Sequence, residues 1–172
     1  MRLSSVFVIL SALLLGCSVT SNEKKVYGYV EKATLMDANL TVSAKLDTGA
    51  KSSSLSAIHI QEIEQDGKTF LQFLVPCKSG NVTFLSEYVG KVKIKPRVGE
   101  IIAPGKKPSA IKRPVVRLRI SLDGKERVVE VNLTNRKSFN YPLLLGREAI
   151  KAFNGIVDPS VVFTIKRPPL SQ

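Results

Sequence analysis

The chain has 172 residues and a net charge of +12, with 44% hydrophobic residues, two Cys and a single His. Its length suits one domain that buries roughly 68 to 70% of its unfolded surface. So few cysteines exclude a disulfide framework, and one histidine excludes a histidine-built zinc centre.

Residues 1–16 read as a lipoprotein signal peptide. Arg2 precedes the apolar runs Val6–Leu10 and Ala12–Leu15, which close on Leu14-Leu15-Gly16-Cys17. That is the charged start, apolar middle and small-residue cleavage site of an export signal. The ending resembles a bacterial lipobox, which implies that Cys17 becomes the lipidated first residue of the mature protein; an ordinary secretory signal or an uncleaved anchor is the alternative. Ser18 in place of an Asp after the Cys points to the periplasmic face of the outer membrane. Loss of Arg2 lowers the charge of +12 by one, to +11, and leaves Cys77 without an intrachain disulfide partner. Residues 17–25 form the lipidated Cys and a polar tether, and residues 26–167 form the folded domain. No later apolar run is long enough to span a bilayer.

Alternation then dominates, and predicts strands over Val26–Glu31, Asn39–Leu46, Ile58–Gln65 and Thr69–Val75, the last two joined at Asp66-Gly67. A second hairpin runs from Val115–Leu122 through Asp123-Gly124 to Arg127–Leu133. Between the hairpins, Pro96, Pro104, Gly105, Pro108 and Pro114 punctuate an extended loop or long hairpin arm. Arg147–Phe153 is the one helix expected, stopped by Asn154-Gly155, and a last strand covers Ile156–Ile165. Many short strands with one late helix give an all-β, closed β-barrel.

Charge is concentrated from Lys91 to Arg119, with ten Lys or Arg against the single acid Glu100. On a strand, Lys91, Lys93, Lys95 and Arg97 share one face. For an exported lipoprotein this favours an acidic peptide or an anionic envelope surface over nucleic acid. The competing interpretation is a solvated outer face that blunts a sheet edge.

The stretch built for chemistry is Asp47-Thr48-Gly49-Ala50, an acid, a hydroxyl and a glycine on the turn after the buried alternation Leu40, Val42, Ala44, Leu46. It places a carboxylate where backbone approaches closely and water has access. The loop resembles the active-site loop of aspartic peptidases, and Leu144-Leu145-Gly146-Arg147 resembles the apolar pair, Gly and Arg that pack beside it in retropepsin-like enzymes. Together with Leu133-Thr134-Asn135-Arg136, Tyr141-Pro142-Leu143 and Val157-Asp158-Pro159-Ser160, these motifs are similar to the bacterial retropepsin-like family usually labelled ATP-dependent zinc proteases, over roughly residues 26 to 165. Viral retropepsins carry an acid where this chain has Lys51, and the bacterial family often has His near Ser56.

The resemblance implies the retropepsin-like (acid protease) barrel and an aspartic peptidase. Such enzymes use two carboxylates that share one proton. One chain carries one such loop, which predicts a homodimer with both Asp47 residues at the twofold axis. Thr48 then braces the loops, Gly49 and Ala50 keep the backbone open, and Leu145, Gly146 and Arg147 support the site, with Arg147 expected in a structural pair with a carboxylate. The zinc and ATP of the family label find no HExxH, no CxxC and no GxxxxGK[ST] here, so no metal and no cofactor is expected.

Other readings stay open. Asp47 caps a turn through its own side chain, or pairs within the chain with Asp158, itself most simply a turn residue. Ser52–Ser54 lies along a polar strand or loop, and His59 is a partly buried strand histidine. The function expected is a lipid-anchored cell-envelope aspartic endopeptidase on peptide or protein substrates, acidic ones included. The alternative is a non-catalytic binding module that docks to an anionic partner through the 91–119 stretch.

Overall fold

A computed structural model describes residues 23–94 and 110–165 of the chain. Cys17, Lys95, Arg97 and the Pro96 to Pro108 stretch lie outside those residues. The elements in order are β1 (Lys25–Gly28), β2 (Val30–Leu35), a 3-10 turn (Met36–Ala38), β3 (Leu40–Asp47), β4 (Ser53–Ser56), β5 (Ile58–Gln65), β6 (Lys68–Cys77), β7 (Gly80–Ile94), β8 (Ile111–Leu122), β9 (Lys125–Thr134), β10 (Leu143–Gly146), α1 (Arg147–Ala152) and β11 (Gly155–Asp158).

The expected closed β-barrel with one short late helix is present. Strands run β2-β3-β10-β4-β9-β8, and β8 pairs back onto β2 at Thr34↔Ser121 and Leu35↔Ile120, which closes a six-stranded ring. The length of β8 explains how one strand serves two neighbours. Its second half closes the barrel, while Ile111–Val116 pairs with β7, from which β6 and β5 extend the sheet as an arm. Both Asp-Gly hairpins form, with Asp66, Gly67, Asp123 and Gly124 all at positive φ as primed two-residue turns require. Along β8, Val116, Leu118, Ile120 and Leu122 are buried while Arg117 and Arg119 face solvent. The period-2 pattern thus sends one face to the core. Leu133, Leu143 and Leu145 meet them from β9 and β10, and Phe73 stacks on Phe84 at 5.6 Å in the arm.

Several expectations are corrected. The first strand breaks at Tyr29, whose N–H donates to the Val161 carbonyl (3.0 Å) and whose carbonyl accepts from the Leu46 N–H (2.9 Å). Gly28 lets the C-terminal segment cross there, because a Cβ would meet the Val161 carbonyl oxygen at 2.6 Å and the Val162 Cα at 2.8 Å. The last strand ends at Asp158, where Pro159 lacks a donor and Asp158 turns the chain. Its Oδ1 accepts from the Ser160 N–H (2.8 Å) and hydroxyl (2.6 Å), so Asp158 is a turn residue. Those bonds hold its carboxyl below the usual 3.8. His59 is exposed with φ +51 at an irregularity between Ile58 and Gln61, where a partly buried strand histidine was expected. Ser53 and Ser54 are buried on β4, pinned between β10 and β9.

Glu31 is fully buried and binds the chain end to the barrel. Its carboxylate accepts from the Gly28 N–H (2.8 Å), the Thr164 N–H (2.9 Å) and hydroxyl (2.5 Å), and the Ile165 N–H (3.4 Å).

Candidate active site

The Asp47 loop leaves β3 at the point where three strands converge. Parallel pairing sets Leu145 beside Leu46 and Gly146 beside Asp47, and antiparallel pairing sets Leu143 and Leu144 beside Leu55 and Ser54. The Asp47 loop and the Leu-Leu-Gly-Arg element, nearly a hundred residues apart in sequence, are therefore neighbours in register.

Gly146 is where the two halves touch. A Cβ there would stand 2.6 Å from the Ser52 carbonyl oxygen and 2.8 Å from that of Lys51, distances that backbone atoms cannot yield without moving the loop. Around it the chain forms a clasp. The Gly146 N–H donates to the Ser53 hydroxyl (3.2 Å), the Arg147 N–H to the Ala50 carbonyl (2.8 Å), and the Glu148 N–H to the Lys51 carbonyl (3.3 Å). No side chain caps α1, so the loop's carbonyls satisfy N–H groups that a helix start leaves without partners. The Arg147 guanidinium donates to the Thr48 carbonyl (3.4 Å). Within one chain it thus meets a loop carbonyl, while the carboxylate pair was expected near the dimer contact.

Asp47 is half-buried, with Thr48 and Gly49 exposed beside it. Its Oδ1 accepts from the Gly49 N–H (3.0 Å), and the Ala50 N–H donates to its carbonyl (3.3 Å). The turn-capping geometry therefore exists, but it occupies only Oδ1; Oδ2 takes no hydrogen bond among the described residues. Fixing one oxygen orients the other, as a water-activating carboxylate requires.

Ala50, Lys51 and Ser52 form the near wall of a cleft of about 760 Å³, closed on other sides by β7, β8, β9 and α1. Two polar residues inside it, Asn132 and Arg136, carried no assigned role in the sequence. Asn132, buried on β9, donates from its amide to the Ser53 carbonyl and accepts from Arg113 (3.4 Å). Arg136, only 6% exposed, follows β9. Burial first, and then the charge of Arg113, push its guanidinium below the usual range, while the charge of Asp47 works the other way. The signal was available in Thr134-Asn135-Arg136, but nothing local tells a buried Arg from a surface one. Lys91 and Lys93 are exposed on β7, with Lys112 directly opposite Lys93. The described part of the basic stretch thus presents like charges on one face.

Among the described residues no three His, Cys, Asp or Glu side chains gather, and His59 projects from an exposed irregularity of β5.

Comparison with known proteins agrees with this geometry. A protein of Legionella pneumophila with unknown function, solved as a crystal structure, is 58% identical and superposes with a TM-score of 0.73, over 84% of this chain and 100% of that one. A probable alpha-L-glutamate ligase of Shewanella halifaxensis is 34% identical over 128 residues, 72% of this chain and 26% of the ligase. One from Desulfotalea psychrophila is 29% identical over 140 residues, 80% and 29% respectively. The chain thus spans under a third of the length of these curated relatives. The profile of the RimB-like family, described as the retropepsin-like aspartic endopeptidase RimB, matches residues 26–168. With its Asp-Thr-Gly-Ala loop clasped by Leu-Gly-Arg on a closed barrel, the chain belongs to the RimB-like family of retropepsin-like aspartic endopeptidases.

Proposed function

We propose that the protein is an aspartic endopeptidase that works as a twofold homodimer and hydrolyses acidic peptides. The observation that carries this reading is the state of Asp47: one carboxylate oxygen is fixed by the Gly49 N–H, the other has no partner among the described residues, and the loop around it is clasped through Gly146, Arg147 and Glu148. Two such carboxylates across an axis share one proton, since like charges so close cannot both ionise. The ionised one takes a proton from water as the water attacks the scissile carbonyl, while the protonated one donates to the carbonyl oxygen. The leaving nitrogen then regains a proton as the tetrahedral species collapses.

A second copy also suits the surface beside the loop. Tyr29, Val161, Val162 and Phe163 are 37 to 48% exposed, and Tyr29 is hydrogen-bonded to both Leu46 and Val161. Tyr29 pairs with Leu46, the residue before Asp47, and a partner would bury this apolar patch. An acidic substrate suits a cleft lined by Lys51, Lys93, Arg113 and Arg136, and relatives whose name attaches glutamate point the same way. Acylation at Cys17 would hold the enzyme at the cell envelope.

Specific activity measured against protein concentration, alongside sedimentation, tests the dimer. Activity should fall as dilution dissociates the dimer, and a hydroxyl-bearing transition-state mimic should inhibit it. Constant specific activity from a protein that sediments as a monomer contradicts the proposal.

A further inference from the structure

Arg136 is a buried cation whose reach exceeds its partners. Its backbone N–H donates to the Ser56 hydroxyl (3.3 Å), its Nε to the Tyr141 carbonyl (3.1 Å), and its guanidinium carbon lies 4.3 Å from the centre of the Phe139 ring. The last two contacts fix the plane of the guanidinium. They leave its two terminal nitrogens, the fork that takes a carboxylate bidentately, without a protein acceptor among the described residues.

The surroundings make an anion the natural occupant. Arg136 and Arg113 line one cleft with the loop residues Ala50 to Ser52, and like charges in a partly desolvated space repel strongly. The acids in that wall have cations of their own: Glu130 lies 3.9 Å from Arg117, and Glu148 lies 3.7 Å from Lys151. Asp47 contributes favourable charge, but its carboxylate accepts from the Gly49 N–H.

We propose that Arg136 is a specificity residue that binds a substrate carboxylate through its terminal nitrogens, in a subsite set between the Asp47 loop and β8. This rests on the peptidase reading and assigns its preference for acidic substrates to one residue. The carboxylate belongs to a Glu or Asp side chain near the scissile bond, or to the free end of a peptide.

The test uses the full chain, wild type, Arg136→Gln and Arg136→Lys, with peptides matched except for single Glu-to-Gln changes, each made as free acid and as C-terminal amide. The Glu-over-Gln ratio in kcat/KM should fall about tenfold or more in Arg136→Gln, with partial retention in Arg136→Lys, which keeps the charge but loses the fork. A loss confined to free-acid peptides assigns the subsite to a chain end; a loss seen equally with amides assigns it to a side chain. Equal losses on Glu and Gln peptides, with a shifted pH profile, would make Arg136 a counter-charge for Asp47 and overturn the proposal. Should wild type cleave nothing, the peptidase reading fails, and the subsite is read by anisotropy of labelled hexaglutamate amide. About tenfold weaker binding by Arg136→Gln supports the subsite, and unchanged binding overturns it. Should Arg136→Gln not fold by circular dichroism, Arg136→Lys carries the same comparisons.

Discussion

Replacing Gly146 by Ala tests whether the contact between β10 and the Asp47 loop positions the candidate site. The added methyl would meet the Ser52 carbonyl oxygen at 2.6 Å, its carbon at 2.7 Å and the Lys51 carbonyl oxygen at 2.8 Å. All three are backbone atoms, so no side-chain rotation relieves the overlap, and 0.5 Å or more of movement, roughly, must be taken up by the loop or by β10. Overpacking of that kind costs about 1–3 kcal/mol. With a urea m-value of about 2 kcal/mol/M, that moves the unfolding midpoint down by roughly 0.5–1.5 M at unchanged m. The displacement also falls on Ala50 and Lys51, whose carbonyls hold the start of α1. Peptide cleavage should therefore drop by about 10²-fold, the cost of a misplacement near 1 Å. Urea unfolding followed by circular dichroism, with kcat/KM on one peptide, reads both effects. A variant with the wild-type midpoint and wild-type kcat/KM would show that the clasp neither strains nor positions the loop.

Three further perturbations address other parts of the account. Glu31→Gln removes the buried charge that gathers Gly28, Thr164 and Ile165, so it should cost about 3 kcal/mol and lower Tm by roughly 6–12 °C; an unchanged Tm would refute the clamp. Ser160→Ala should move the Asp158 carboxyl up toward 3.8 but not fully to it, because the Ser160 hydroxyl bond is lost while the backbone bond remains. As the folded value is depressed, the stability tied to Asp158 is present above 3.8 and lost as pH falls through the folded value; an unmoved titration by NMR contradicts this. Cys17→Ser should abolish incorporation of radioactive fatty acid into the protein, and equal labelling of variant and wild type would end the lipidation proposal.

What was legible in the sequence was what local chemistry determines. Asp47-Thr48-Gly49-Ala50 and Leu145-Gly146-Arg147 each need particular residues at particular turns, and the two Asp-Gly hairpins declare themselves by turn type. What long-range pairing determines was not legible. Ser53 to Ser56 are small and mostly polar, yet flanking strands on both sides bury them. Glu31 reads as a solvated end of a strand because its partner Thr164 is 133 residues away. The break at Tyr29 is imposed by the crossing of Val161, and β7 carries its alternation Val82, Phe84, Ser86, Tyr88 through enough polar residues to hide it. Arg136 belonged to a recognised motif, but its burial depends on Ser56, Phe139 and Tyr141 closing around it.

The most direct test of the central claim is peptide cleavage by Asp47→Asn. The substitution preserves size and an oxygen for the Gly49 N–H while removing the ionisable group on which general acid–base catalysis depends. Measured against wild type on acidic peptides by mass spectrometry, with folding verified by circular dichroism, the variant should keep the barrel and show no cleavage above the uncatalysed rate. Cleavage by the folded Asp47→Asn protein at the wild-type rate would contradict the account.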